Sequence, residues 1–175
     1  MLLAEGAGAA AGLAWTAAAA VRRGLAVTLA ENVRGQSDGV PARLLSPDVE
    51  FHAVSPDAGG LLGALPALIR WADEIAIAAA PEFLDQVAAL RRSRLEPFTL
   101  HGDLPIQALP LPWLGTSLGG AAGGGDFVPC GAGWCGACAV STRTGPRLFC
   151  REGPAFRLED LRFEIDPEVE ANQSG

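Results

Sequence analysis

Four cysteines supply the residue types most able to do chemistry: Cys130, Cys135, Cys138 and Cys150, spaced C-x4-C-x2-C-x11-C, with none in the preceding 129 residues. The x4 and x2 intervals are those of plant-type [2Fe–2S] loops, in which one segment wraps a cluster and gives three thiolates. Gly131, Gly133 and Gly136 lie among them. Glycine accepts positive φ and close backbone approach, so successive N–H groups can turn inward toward the sulfurs and help set the potential. Arg147 to Phe149 reads as a short strand that delivers Cys150 to the remaining position. A structural zinc site also uses four thiolates, but its ligands usually come as two short pairs, which this spacing fits less well. Disulfides are a third use, disfavoured in a reducing compartment. Trp134, a large aromatic in a loop of small residues, either shields the site or meets a partner.

The elements that must position these residues read as alternating strands and helices. Met1 to Ala4 is a short strand, followed by a Gly-rich turn and a helix from about Ala9 to Arg23, with Gly24 as its C-terminal cap. Leu25 to Ala30, Val49 to Val54 and Glu74 to Ala79 are apolar strands. After Pro81, the i, i+4, i+7 recurrence of Phe83, Val87 and Leu90 marks a helix up to the Arg91–Arg94 cluster. Phe98 to Leu100 or Ile106 to Leu109 supplies the last strand. This alternation predicts an α/β fold, a Rossmann-like parallel sheet followed by a small cysteine-rich [2Fe–2S] domain. The expected divisions are residues 1–109 for the nucleotide-binding-like domain, 110–125 for a Pro/Gly-rich linker, 126–162 for the cluster domain and 163–175 for an acidic tail.

With those residues in view, Cys130-Gly-Ala-Gly-Trp-Cys-Gly-Ala-Cys-Ala-Val140 and Phe149-Cys-Arg-Glu-Gly-Pro-Ala-Phe156 resemble the cluster domain of the electron-transfer subunit of dihydroorotate dehydrogenase. The α/β region resembles, more weakly, the pyridine-nucleotide domain of the ferredoxin reductase superfamily. The resemblance implies an accessory electron-transfer subunit working with NAD, an FAD, the [2Fe–2S] cluster and an FMN held in a separate dehydrogenase subunit of pyrimidine synthesis. It implies that Cys130 and Cys135 ligate one iron and Cys138 and Cys150 the other. Related reductase subunits with similar spacing serve ferredoxin–NADP or sulfide chemistry, which leaves the pathway open. Three departures stand out. Met1 already lies at the first strand of the nucleotide domain, with no region ahead of it for the family's FAD-binding barrel. The expectation is either a truncated or split product, with a separate FAD-binding chain as a further partner, or a protein that has lost its flavin. The family's Cys-Gly-Pro turn near the nicotinamide appears as Ala79-Ala80-Pro81. A Gly-rich stretch replaces a more charged approach to Cys130.

Gly6-Ala-Gly8-Ala-Ala-Ala11 fits the dinucleotide fingerprint G-x-G-x-x-(G/A) between a strand and a helix. In that reading Gly6 and Gly8 admit the pyrophosphate to the helix N-terminus, Glu31 contacts a ribose and Arg34 meets a phosphate. A segment so rich in Gly and Ala matches easily by chance, and the same glycines serve close helix–strand packing. The alternative is a scaffold that binds no NAD. His52 and His101 stand alone and read as structural. No nucleophile–base pair or catalytic carboxylate pair is present.

The remaining totals exclude partner classes. The formal charge is −7, and all 13 basic residues are arginine without forming a stripe. That composition disfavours nucleic acid and anionic membrane. Glu5 precedes the Ala/Gly run of Ala7 to Val21 and Arg22 and Arg23 follow it, the wrong charge order for a signal peptide, so a cytoplasmic location is expected.

Overall fold

The computed structural model describes residues 1–33, 39–93, 104–110, 131–136 and 138–163. Eight strands and four helices are described: β1 (Leu2–Ala4), α1 (Ala7–Arg22), β2 (Val27–Asn32), β3 (Val49–Val54), α2 (Gly60–Leu68), β4 (Ile75–Ala79), α3 (Pro81–Arg92), β5 (Ile106–Pro110), β6 (Ala139–Thr142), β7 (Gly145–Leu148), α4 (Phe149–Glu152) and β8 (Phe156–Arg157).

Six strands form one sheet in the order β3-β2-β1-β4-β5-β8. The first five pair in parallel, as the α/β reading expects, and β8 adds antiparallel through Gln107↔Arg157 and Ala108↔Phe156. Parallel strands buried on both faces are read from apolar runs rather than alternation. β1 and β4 are such runs, and each sends alternate side chains to opposite faces. Leu2, Ala4, Val27, Leu29 and Ala78 pack under α1 through its buried Ala9, Ala10, Leu13 and Ala17. Leu3, Ala30, Ile75 and Ile77 face the other way, under Leu61 and Leu65 of α2 and Phe83, Leu84 and Val87 of α3. The chain steps outward through β1, β2 and β3, then returns past β1 to β4, so the order reverses between β1 and β4. That reversal makes a crevice at the carboxyl ends of these two strands.

Boundaries follow local chemistry. Gly24 adopts φ +79, its N–H donates to Val21 O at 2.8 Å, and the Leu25 N–H donates to Ala20 O at 3.1 Å. This is the two-bond Schellman ending. It claims Leu25, which is exposed, so β2 starts at Val27 and not at Leu25. β3 is an edge strand and mostly exposed, and its His52 is solvent-facing with Nε2 3.1 Å from Glu50 Oε1. Of the two candidates for the last parallel strand, Ile106–Pro110 fills the position, while 98–100 lies outside the described residues. Among the described residues no helix is long and apolar enough to cross a membrane.

Candidate metal centre

The cysteine segment is built on a hairpin. β6 and β7 pair antiparallel from Ala139↔Leu148 to Thr142↔Gly145, and the turn is held by Thr142 Oγ1 donating to Gly145 O at 2.6 Å. The strand that was expected to run into Phe149 stops at Leu148. From Phe149 the chain makes the single helical turn α4, so Cys150 sits on a helix. The reason is capping. Glu152 Oε2 accepts the Leu148 N–H at 2.8 Å while its Oε1 accepts from Arg147 Nη1 at 2.6 Å, so a side chain four residues on satisfies the N–H of the residue that begins the turn. The hydrogen bond from Arg147, then that from Leu148, holds the Glu152 carboxyl below the usual carboxylate range.

This turn meets the cysteine loop. The Phe149 N–H donates to Cys138 O at 3.0 Å, and the Cys150 N–H donates to Cys138 Sγ at 3.5 Å. Cys138 is fully buried, Cys150 half-buried and Cys135 exposed. Gly131, Gly133 and Gly136 all take positive φ, +69, +77 and +67, as a loop turning its N–H groups inward requires. At Gly133 the fit is close: a Cβ would stand 3.2 Å from Arg151 Cδ and 3.3 Å from Leu148 Cδ1, so the loop packs directly on α4. Trp134 is 91% exposed beside Cys135. Cys130 lies outside the described residues, and among the described residues alone no three His, Cys, Asp or Glu side chains gather as a metal site.

Residues 126–162 match the family model of the iron–sulfur cluster binding domain of dihydroorotate dehydrogenase B. The segment is an iron–sulfur cluster-binding domain of that family. The resemblance read from its cysteines, glycines and Gly153-Pro154 pair is thereby borne out. A solved structure, described as that of the NADH-dependent reduced ferredoxin-NADP oxidoreductase, aligns over 98% of this chain with a TM-score of 0.65 and 18% identity. That likeness shows the fold, a ferredoxin-reductase-type sheet, and this chain spans 57% of the length of its counterpart. No curated protein matches the chain significantly.

An iron–sulfur cluster fits the residues present. The donors are cysteine sulfurs, one of them receives a backbone N–H, and the intervening glycines adopt the conformation that brings further N–H groups to a cluster. The dinucleotide residues are placed differently. Gly6 precedes α1 with φ +89 and Gly8 lies in its first turn, so the strand–turn–helix context is real. Glu31 ends fully buried, with Oε2 accepting the Val40 N–H at 2.9 Å. Burial raises its pKa, and the Val40 N–H offsets this in part. Arg34 and His101 lie outside the described residues. Glu5, which the fingerprint reading passed over, turns out to span β1 and β4: Oε2 accepts the Ala80 N–H at 3.0 Å. Its signal was a carboxylate inside a glycine turn directly after a strand.

Proposed function

We propose that this chain is an electron-transfer subunit of an oxidoreductase, carrying one [2Fe–2S] cluster on Cys130, Cys135, Cys138 and Cys150. The single observation that carries the reading is the Cys138–Cys150 contact inside a segment of an iron–sulfur cluster-binding family. A bound cluster supplies one-electron transfer. The chain's own residues give the surroundings: α4 directs its Cys150 N–H at the Cys138 sulfur, Glu152 fixes that turn, and the hairpin excludes water from Cys138. Exposed Cys135 and Trp134 leave one side open for a partner. That partner is a dehydrogenase subunit holding FMN, and dihydroorotate oxidation in pyrimidine synthesis is the favoured setting. A second setting, a subunit of an NAD(P)H–ferredoxin oxidoreductase, draws support from the fold's likeness to such an enzyme.

Anaerobically purified protein is assayed for iron, acid-labile sulfide and zinc, with visible spectra before and after dithionite. About two irons and two sulfides per chain, with colour that bleaches on reduction and is lost in Cys138→Ala, are expected. Stoichiometric zinc and a colourless solution after attempted reconstitution would refute the redox reading. The flavoprotein that copurifies, and whether it oxidises dihydroorotate, separates the two settings.

A further inference from the structure

In an open α/β sheet of this order, a dinucleotide lies across the reversal point, with its pyrophosphate against the N-terminus of the helix after the first strand. Here a carboxylate stands in that approach. Glu5 links β1 to Gly6; its N–H donates to Ala78 O at 3.0 Å, and its Oε2 accepts the Ala80 N–H at 3.0 Å. The two bonds tie the end of β1 to the end of β4 across the crevice. Ala80 caps α3, where the resemblance would put the turn nearest a nicotinamide. One side chain therefore occupies the Ala80 N–H, and it belongs to the residue directly before Gly6, the N-cap of α1, whose N–H groups a pyrophosphate would need. The first turn of α1 holds no acidic residue of its own, and Glu5 is the acidic residue nearest to it in sequence. The ribose position is closed as well. Glu31 Oε2 is held by Val40, and its Oε1, without a hydrogen-bond partner among the described residues, has no solvent exposure through which to meet a ligand.

We infer that Glu5 latches the crevice between β1 and β4 and excludes pyridine dinucleotides from this chain. Like charge at an interface costs affinity, and a polar group already bonded must be released before a ligand can use it. The inference concerns binding, so it stands or falls apart from the redox reading.

The test is titration of the full-length, anaerobically purified protein with NADH and NADPH, followed by nicotinamide fluorescence and calorimetry. Glu5→Gln removes the charge but keeps an acceptor for Ala80, and Glu5→Gly removes both. The wild type is expected not to saturate at about 1 mM, and Glu5→Gly to bind at least about tenfold tighter, with Glu5→Gln between them. A far-UV circular dichroism spectrum and a urea midpoint close to wild type certify the fold of each variant; if Glu5→Gly fails to fold, Glu5→Gln decides by the same comparison. Micromolar binding by the wild type overturns the inference. So does an affinity unchanged by the substitutions, since Glu5 would then not be what excludes the ligand.

Discussion

Leu158 is the residue on which the cluster segment is anchored, and Leu158→Ala measures that anchoring. Its side chain is 1% exposed and shares the larger core with Leu161, Leu84, Val87, Leu104 and Ile106. It therefore joins the chain after Cys150 to α3 and β5. Truncation to alanine removes three buried carbons, about 2.4 kcal/mol at ~0.8 kcal/mol each. The cavity left between α3 and β5 adds to this, and Leu→Ala substitutions in well-packed cores cost about 2–5 kcal/mol. A loss of roughly 3 kcal/mol lowers Tm by about 6–12 °C in a chain of this size. The partly exposed Arg91–Glu159 ion pair beside it, 3.2 Å long, offsets little, since such pairs are worth at most about 1 kcal/mol. Urea unfolding is followed by far-UV circular dichroism for the α/β sheet and by visible absorbance for the cluster. Because Leu158 belongs to the common core, both signals are expected to move together and to shift together in the variant. A cluster signal lost well before the sheet unfolds, or a shift below about 1 kcal/mol, would show that the segment is not anchored by this packing.

Two further outcomes are expected. Gly131→Ala and Gly133→Ala both force a side chain into positive φ at about 1–2 kcal/mol, but only at Gly133 does the new Cβ crowd Arg151 and Leu148. Gly133→Ala should therefore release iron to a chelator faster than Gly131→Ala, and equal rates would contradict the packing of the loop on α4. For Glu31, burial raises the folded pKa above the unfolded value, so the native state holds the proton more tightly. Its contribution is complete below the unfolded pKa and is lost as pH rises through the folded one. Wild-type stability should thus fall with rising pH more steeply than that of Glu31→Gln in urea melts between about pH 4 and pH 8, and parallel curves would be the contrary result.

The sheet was legible in the sequence because its strands are short apolar runs between turn residues, and α1 and α3 because one ends in Gly24 and the other begins at Pro81 and repeats at helical spacing. α2 was not legible. Gly60, Gly63 and Pro66 all oppose a helix, and only burial of Leu61 and Leu65 against the sheet overrides them. β8 is two residues long, below any detectable period, and exists because the exposed edge of β5 offers its backbone to it. In the cysteine segment, the glycines foretold positive φ. That Cys150 rides a helical turn depended on Glu152 reaching back four residues to Leu148, a cap on a segment that reads as extended. Glu5 was invisible as a latch because its partner, Ala80, is 75 residues away.

What an α/β sheet contributes when its nucleotide crevice is latched follows from the order of its strands. β4 is held to β1 by main-chain pairing and again by Glu5, and its other edge pairs with β5 over five residues. β5 then pairs with β8, and the chain beyond β8 returns to the hairpin: the Arg143 N–H donates to Asp160 O at 2.8 Å and the Arg162 N–H to Ser141 O at 2.9 Å. The hairpin in turn presents Cys138 to α4 and Cys150. Each link is a hydrogen-bonded strand or turn, so the reversal point and the cysteine loop belong to one continuous frame. A cluster with an exposed edge exchanges electrons only with a partner that docks reproducibly, and a loop of small residues cannot hold its own position against such a surface. The sheet fixes the base of that loop, and Glu5 adds a hydrogen bond that joins the ends of β1 and β4.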